Sequence, residues 1–344
     1  MIIKSKSEII SEIKKDPLCF EDYFDVSEIT SVEYNLRRVD FNSSALSSRF
    51  TVIKSNDSKE HFWIKTVKKG FKAFKYLNEL HTKLKIKDSE SLMPRPIYGS
   101  DDLGIMITEI FEGRKLITIS YLYSSVFSNE QSLRYLTKIY YNLGMALSSF
   151  QNSMLVDREG VNLSEIIEET KNELGFSNLF SVNEKKQIKS YLDFYDHNMS
   201  FKVPLTVNHN DITLRNILFN ESDLKIVDWD AMLHTGFRNP GLCLNEFMAL
   251  YINIMSLTKL SPLINSNKIK YLLSNLLKGY LINSSYLNFK NKKEIMEELV
   301  FLFGLRFYLG IDIDRPLEKI YNGFLSQRFI KKFKLFLISR SKWI

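Results

Sequence analysis

Between Val207 and Asp230 two short apolar runs alternate with clusters of polar side chains, and no other stretch restricts the fold as much. Val207-Asn-His-Asn-Asp-Ile-Thr-Leu-Arg-Asn-Ile-Leu-Phe219 is followed, across Asn220-Glu-Ser-Asp223, by Leu224-Lys-Ile-Val-Asp-Trp-Asp230. Reduced to its polar positions, the segment reads His209-x-Asp211-x4-Asn216 and then Asp228-x-Asp230. Asn216 stands directly before Ile-Leu-Phe, and Asp228 directly after Leu-Lys-Ile-Val. Two short strands joined by a polar turn are therefore expected. Such a hairpin would carry Asp211, Asn216 and Asp228 toward one end.

The rest of the chain predicts where this hairpin belongs. Residues 1–30 read as a short amphipathic helix followed by a connector. Residues 32–67 alternate in the manner of strands, with Phe50, Val52, Phe62, Ile64 and Val67 among β-favouring neighbours. Phe71, Phe74, Leu77, Leu80 and Leu84 recur at helical spacing. Pro94 and Pro96 break that pattern, Ile105-Met-Ile-Thr-Glu-Ile-Phe111 reads as another strand, and Gly113 ends it. Beyond it, helical patterns cover 130–150, 162–175 and 184–198, and helices return from Leu242 onward. The fold class is therefore α+β, with a helical extension (1–30), a small β-rich lobe (31–113) and a larger, mainly helical lobe (114–344).

Composition removes several classes of function. At 44% hydrophobic and 25% charged residues, the chain is a globular protein rather than a disordered or fibrous one. No apolar run approaches the roughly 18 residues that a membrane-spanning helix needs. The opening Met-Ile-Ile-Lys-Ser-Lys-Ser-Glu carries charges where a secretion signal would be apolar, so the cytoplasm is the expected compartment. Cys19 and Cys243 are too far apart in sequence to suggest a disulfide framework or a zinc site.

The polar set around Asp211 matches the requirements of phosphoryl transfer. A carboxylate must accept the proton of the attacking hydroxyl and aim its oxygen in line. Hard oxygen ligands must hold Mg²⁺ against a triphosphate, and one or two carboxylates suffice because phosphates and water supply the rest. The remaining protein contribution is positioning and charge stabilisation.

These residues resemble the catalytic and metal loops of the aminoglycoside phosphotransferase and choline kinase families, distant relatives of the protein kinases. The resemblance implies a two-lobed, protein-kinase-like fold, with ATP as phosphate donor and Mg²⁺ as cofactor. It implies Asp211 as catalytic base, His209 as the residue bracing that loop, and Asn216 and Asp228 as Mg²⁺ ligands. Asp230 would be a further ligand or a loop-capping carboxylate. Those families have Asp-x-Asp where protein kinases have Asp-Phe-Gly, and Asp228-Trp-Asp230 follows them; no Ala-Pro-Glu comes after it. Leu92-Met-Pro-Arg-Pro-Ile-Tyr-Gly99 and Ile105–Gly113 resemble the approach to the hinge, so the backbone from Glu109 to Phe111 would meet the adenine edge. Leu143-Gly-Met-Ala-Leu-Ser-Ser-Phe150 resembles the helix before the substrate-side insertion. Lys65, in Phe62-Trp-Ile-Lys-Thr66, occupies the place of the strand lysine that contacts phosphate.

The pattern also departs from the family. Residues 1–69 contain no glycine, so no Gly-rich phosphate loop exists. The turn Asp40-Phe-Asn-Ser-Ser44 could substitute, with Ser43 and Ser44 and their backbone N–H groups facing phosphate. Glu79 is the only glutamate of the 71–84 helix, yet at about 100° per residue it points away from the apolar stripe, toward solvent. Asn239-Pro-Gly-Leu-Cys-Leu-Asn245 stands where the family has an acidic residue after a proline.

Charge bears on the acceptor. Lys259–Ile344 contains 16 basic and 6 acidic residues, a surplus of +10, against −3 for the rest of the chain. A strongly basic quarter does not suit cationic aminoglycosides or choline. It suits a neutral or anionic hydroxyl acceptor, such as a sugar or a surface-polysaccharide precursor. The tail Phe329–Ile344 interleaves aromatics with cations, as membrane-surface helices do, so a peripheral membrane contact is one expectation for it. No nucleic-acid partner is expected. Two other classes compete: a nucleotide-binding pseudokinase without turnover, and a glycosyltransferase that uses Asp228-x-Asp230 but leaves the His209–Asn216 pattern unexplained.

Overall fold

The computed structural model describes residues 5–38, 46–85, 92–221, 223–229, 241–260, 263–285, 287, 299, 301–306 and 309. In chain order the elements are α1 (Lys6–Lys15), β1 (Ile29–Tyr34), β2 (Arg37–Arg38), β3 (Leu46–Lys54), β4 (Lys59–Thr66), α2 (Gly70–Lys85), β5 (Pro96–Ser100) and β6 (Ile105–Glu109). There follow β7 (Arg114–Lys115), α3 (Leu116–Ser124), α4 (Glu130–Ser153), β8 (Leu155–Asn162), α5 (Leu163–Phe176), α6 (Val182–Asn198) and β9 (Lys202–Thr206). The last elements are β10 (Ile217–Asn220), β11 (Asp223–Ile226), β12 (Gly241–Leu242), α7 (Cys243–Leu260) and α8 (Ser266–Asn283). The chain forms two compact units, Met1–Gly113 with Leu218–Leu233, and Arg114–Ile217 with His234–Ile344.

The first unit is built on an antiparallel sheet ordered β1-β3-β4-β6-β5, with β2 alongside β3. The period-2 alternation of the sequence becomes its inner face: Phe50, Val52, Phe62 and Ile64 are buried, with Phe50 paired to Phe62. The N-terminal segment covers that face. α1 begins in a capping box, where the Ser5 N–H donates to Glu8 and the Glu8 N–H donates to the Ser5 hydroxyl. Its Ile9 and Ile13 join Phe20 and Phe24 in the sheet's core, and Phe20 meets Phe62 edge to face at 5.7 Å. The hairpin β10–β11, with Glu221 in its turn, forms as the two apolar runs predict.

α2 occupies the predicted helical stretch, but its buried side differs from the expected stripe. Phe71 is 55% exposed, whereas Ala73, Leu77, Leu80 and His81 are buried. Close backbone seating explains the rotation. A Cβ on Gly70 would lie 2.1 Å from the Ile105 carbonyl oxygen, and one on Gly99 would lie 2.2 Å from the Gly70 oxygen. The helix start therefore rests on β5 and β6 through two glycines, and Phe71, next in line, turns outward.

The second unit is mainly helical. α4, α5 and α6 fall on the three predicted patterns, and α7 starts where helices were expected to return. A three-stranded sheet, β12-β9-β8, lies among them. α4 and α8 pack through reciprocal glycines: a Cβ on Gly144 would stand 2.1 Å from the Leu276 oxygen, and one on Gly279 would stand 2.0 Å from the Tyr141 oxygen. Gly→Ala inside a helix ordinarily gains about 1 kcal/mol. Here the new methyl meets backbone that cannot swing aside, so Gly279→Ala is expected to destabilise by about 2 kcal/mol. Urea unfolding of the two proteins checks this; a stabilised variant would show that the helix seam is looser than described.

Candidate active site

The loop after β9 is built by buried polar contacts within the second unit. Val207 donates its N–H to the Met154 oxygen at 3.1 Å. Asn208 is buried; its amide donates to the Leu242 oxygen (3.1 Å), and its Oδ1 accepts from the Thr206 hydroxyl (2.8 Å). His209 is fully buried, and its Nδ1 accepts the Asp211 N–H at 3.3 Å, which places the ring proton of the neutral form on Nε2. Asn210 adopts φ +67°, a left-handed conformation that Asn tolerates better than most residues. Its N–H donates to Glu246 Oε1 at 2.8 Å. Asp211, next in sequence, is exposed.

Asn216 fixes the Asp211 side chain. Its Nδ2 donates both to Asp211 Oδ2 (2.9 Å) and to the Asp211 backbone oxygen (3.0 Å). With Nδ2 turned to Asp211, the amide Oδ1 is the atom that Asn216 offers to a cation. Between them Ile212 and Leu214 are buried, and Leu214 is tied at both backbone groups, its N–H to Asn253 Oδ1 (3.2 Å) and its carbonyl to the Ile117 N–H (3.0 Å). Apolar anchors thus alternate with the polar residues they present.

The first unit holds the other predicted residues. Lys65 lies on β4, opposite Ser47 and Met106. Its ammonium meets Asp228 Oδ1 at 2.5 Å, with the lysine side chain 16% exposed and the aspartate 43%. Asp228 has φ +66°. Trp229 holds that geometry: its ring is buried, and its Nε1 donates to the Ile226 oxygen at 2.6 Å, while the Ile226 N–H donates to Leu92. Of the four described non-glycine residues with positive φ, Asn210 and Asp228 sit in these two loops; backbone strain of this kind clusters at functional segments.

At the end of β6, the Glu109 carboxylate accepts from the Tyr23 hydroxyl (3.2 Å) and the Arg95 N–H (3.3 Å), and its own N–H donates to the Arg95 oxygen. The Phe111 ring lies 6.0 Å from the Lys225 ammonium. Ser43, Ser44, Asp230 and the basic tail Phe329–Ile344 lie outside the described residues. Glu79 is exposed, as its angular position predicts, and the described carboxylate at Lys65 is Asp228. Among the described residues no three His, Cys, Asp or Glu side chains gather as a metal-binding group.

Glu246 was not identified among the candidate site residues. It lies in the first turn of α7, 3% exposed, and is the only acid between Cys243 and Leu260. A lone carboxylate in an otherwise apolar helix was the available signal. Burial pushes its pKa from 4.5 up to about 8, against the opposing pull of the Asn210 and His209 backbone N–H groups and of Gln151. Asn239–Asn245 contains no acid, and the first one after it, Glu246, meets the loop backbone.

The sequence matches no family model and no curated protein. Solved structures do match. A proposed aminoglycoside phosphotransferase from Ralstonia eutropha superposes with a TM-score of 0.57 at 12% identity, over 97% of this chain and 98% of that one. A glucosamine kinase in complex with glucosamine, ADP and inorganic phosphate gives 0.52 at 11% identity, over 88% and 83%. Another glucosamine kinase crystal form gives 0.53 at 9%, over 94% and 97%. The chain therefore has the α+β, kinase-like fold of these small-molecule phosphotransferase structures. No helix among the described residues is long and apolar enough to cross a membrane.

Proposed function

We propose that this chain is an ATP-dependent phosphotransferase that phosphorylates a hydroxyl group of a small molecule or glycan. The observation that carries the reading is the Asp211–Asn216 pair: an exposed aspartate to which one amide donates twice, at the carboxylate and at the backbone oxygen, in a loop that Asn208, His209, Ile212 and Leu214 anchor by burial. In the proposed reaction the acceptor oxygen bonds to the γ-phosphorus and the bond from that phosphorus to the β,γ-bridging oxygen breaks. The hydroxyl proton passes to the Asp211 carboxylate, and ADP leaves. His209 supports the Asp211 backbone through its Nδ1.

The donor set suits magnesium. Asn216 Oδ1 and the Asp228 carboxylate are hard oxygen donors, Asp230 is proposed as a further ligand, and Mg²⁺ takes few protein ligands when phosphates complete its shell. When bound, the ion supplies charge neutralisation on the phosphate oxygens. Lys65, mostly buried on its strand, would bind phosphate oxygens by a charge-assisted hydrogen bond. The adenine edge would meet the backbone through Phe111, since the Glu109 N–H is already donated to Arg95, and Ser43 and Ser44 would contact phosphate. Lys65→Met is expected to weaken ATP binding about ten- to hundredfold. Equilibrium titration with a fluorescent ATP analogue measures it, and an unchanged affinity would remove Lys65 from the nucleotide site.

For the acceptor we favour a sugar or a surface-polysaccharide precursor. Two of the similar structures are glucosamine kinases. The basic surplus of Lys259–Ile344 also favours neutral or anionic partners over polycations. ADP release with Mg²⁺-ATP across sugars, glycans, choline and aminoglycosides tests both levels. Acceptor-stimulated release that disappears in Asp211→Ala supports the kinase and identifies its acceptor class. ATP binding with no stimulated release, equal in both proteins, would favour a nucleotide-binding module.

A further inference from the structure

At one end of the second unit, apolar side chains from separate elements are exposed together. Leu122 stands in the last turn of α3, Val126 and Phe127 lie in the loop before α4, and Leu263 lies shortly before α8. They are 57%, 49%, 82% and 50% exposed. Backbone pairing brings them side by side: the Val126 N–H donates to the Leu263 oxygen (2.7 Å), and the Asn265 N–H donates to the Ser124 oxygen (3.0 Å). The Lys268 ammonium fastens the loop, donating to the Ser125 and Ser128 backbone oxygens (both 2.8 Å) and to the Ser128 hydroxyl (2.7 Å). Exposed Tyr135 and Tyr271 extend the patch along α4 and α8. The Tyr135 ring meets Tyr123 of α3 at 6.0 Å, and Tyr271 lies within electrostatic reach of Arg134. Single exposed apolar residues are ordinary on a surface; a fixed cluster of them marks a contact site.

We propose that this face docks on an anionic lipid surface. Charge selects that partner. From Leu116 to Ser153 and from Leu263 to Asn283 the chain carries five cations, Arg134, Lys138, Lys268, Lys270 and Lys278, against one acid, Glu130. Glu130 is paired with Arg134, and Lys138, Lys270 and Lys278 are exposed. A second copy of the chain on this face would set like charges against each other across a two-fold contact. A nucleic acid would engage the lysines and tyrosines but would offer nothing apolar to Leu122, Val126 and Leu263. A bilayer with acidic headgroups uses every part. The apolar side chains enter the boundary between headgroups and acyl chains, the tyrosines sit at headgroup depth, and the lysines meet lipid phosphates. Because the loop is held by its own hydrogen bonds, little ordering accompanies docking.

Docking needs neither nucleotide nor acceptor, so it is tested apart from the phosphotransferase reading. The full chain is sedimented with vesicles of phosphatidylcholine alone, and with vesicles that also contain about 30% phosphatidylglycerol. We expect wild type to partition onto the anionic vesicles at least about tenfold more strongly, and salt at about 0.5 M to weaken that binding severalfold. Val126→Ser/Phe127→Ser and Lys270→Glu/Lys278→Glu should each lower partitioning about tenfold, with unfolding midpoints near wild type because these side chains are exposed. Phe127→Trp adds a readout that removes nothing: its extra emission should move to shorter wavelength on the anionic vesicles and be quenched by brominated lipid. If V126S/F127S does not fold, F127W decides alone. Wild type that ignores anionic vesicles, undiminished partitioning in either double variant, or F127W emission that stays as in buffer overturns the proposal. A wild-type dimer that V126S/F127S dissociates, with no vesicle binding, overturns it too and assigns the face to a second copy.

Discussion

Asp211→Asn is expected to lower acceptor-dependent ADP release by about 10²–10⁴-fold, the range associated with loss of a general base. The choice of Asn matters. Asn216 donates to Asp211 Oδ2 and to the backbone oxygen, and an amide at position 211 still offers one oxygen to the first of these bonds. The loop should keep its shape, because Asn208, His209, Ile212 and Leu214 are buried independently of that side chain. What disappears is an atom able to take the hydroxyl proton. ATP affinity should therefore stay within about threefold while kcat collapses. A variant with kcat within about threefold of wild type would rule out Asp211 as the base.

The second large effect concerns stability and needs no substrate. Glu246 in the folded chain holds its proton up to about pH 8, whereas the unfolded chain releases it near the ordinary 4.5. Between those values the native state binds more protons than the unfolded state, so stability falls as pH rises through that window. The loss is complete once the folded group also ionises above about pH 8. Its upper limit is roughly 4–5 kcal/mol. Glu246→Gln lacks the titration. Its stability relative to wild type should therefore rise steadily from pH 5 to about pH 8. Denaturant unfolding at four or five pH values tests this. Parallel pH profiles for the two proteins would mean that Glu246 ionises normally in the native state.

Much of the molecule was legible because its signals are local. The strand alternation at Phe50–Ile64, the helical patterns of α4, α5 and α6, and the hairpin after Asn216 all depend on neighbours within a few residues. The Asp211–Asn216 spacing belongs to the same class. The misses depend on partners distant in sequence. Nothing local to Lys65 indicates that its ammonium meets Asp228, which lies far along the chain. Glu246 meets Asn210 only because α7 follows a short strand, β12, paired to β9. Phe71 fitted a helical stripe but lies outside the buried sector, since periodicity fixes a face only to within a residue or so at its margins and the Gly70–Gly99 seat decides the rest. β8 carries no local strand signal, because its mostly exposed residues show no apolar alternation and its pairing with β9 is irregular.

The seam between α4 and α8 has a consequence for descent as well as for packing. At Gly144 and Gly279 each helix presents bare backbone to the other, so one contact is written twice, at two distant places in the gene. Neither position can accept a larger residue unless the helices separate, and separation would leave the other glycine facing a gap. In lineages that keep this seam the two sites should drift as a pair, both small or both replaced.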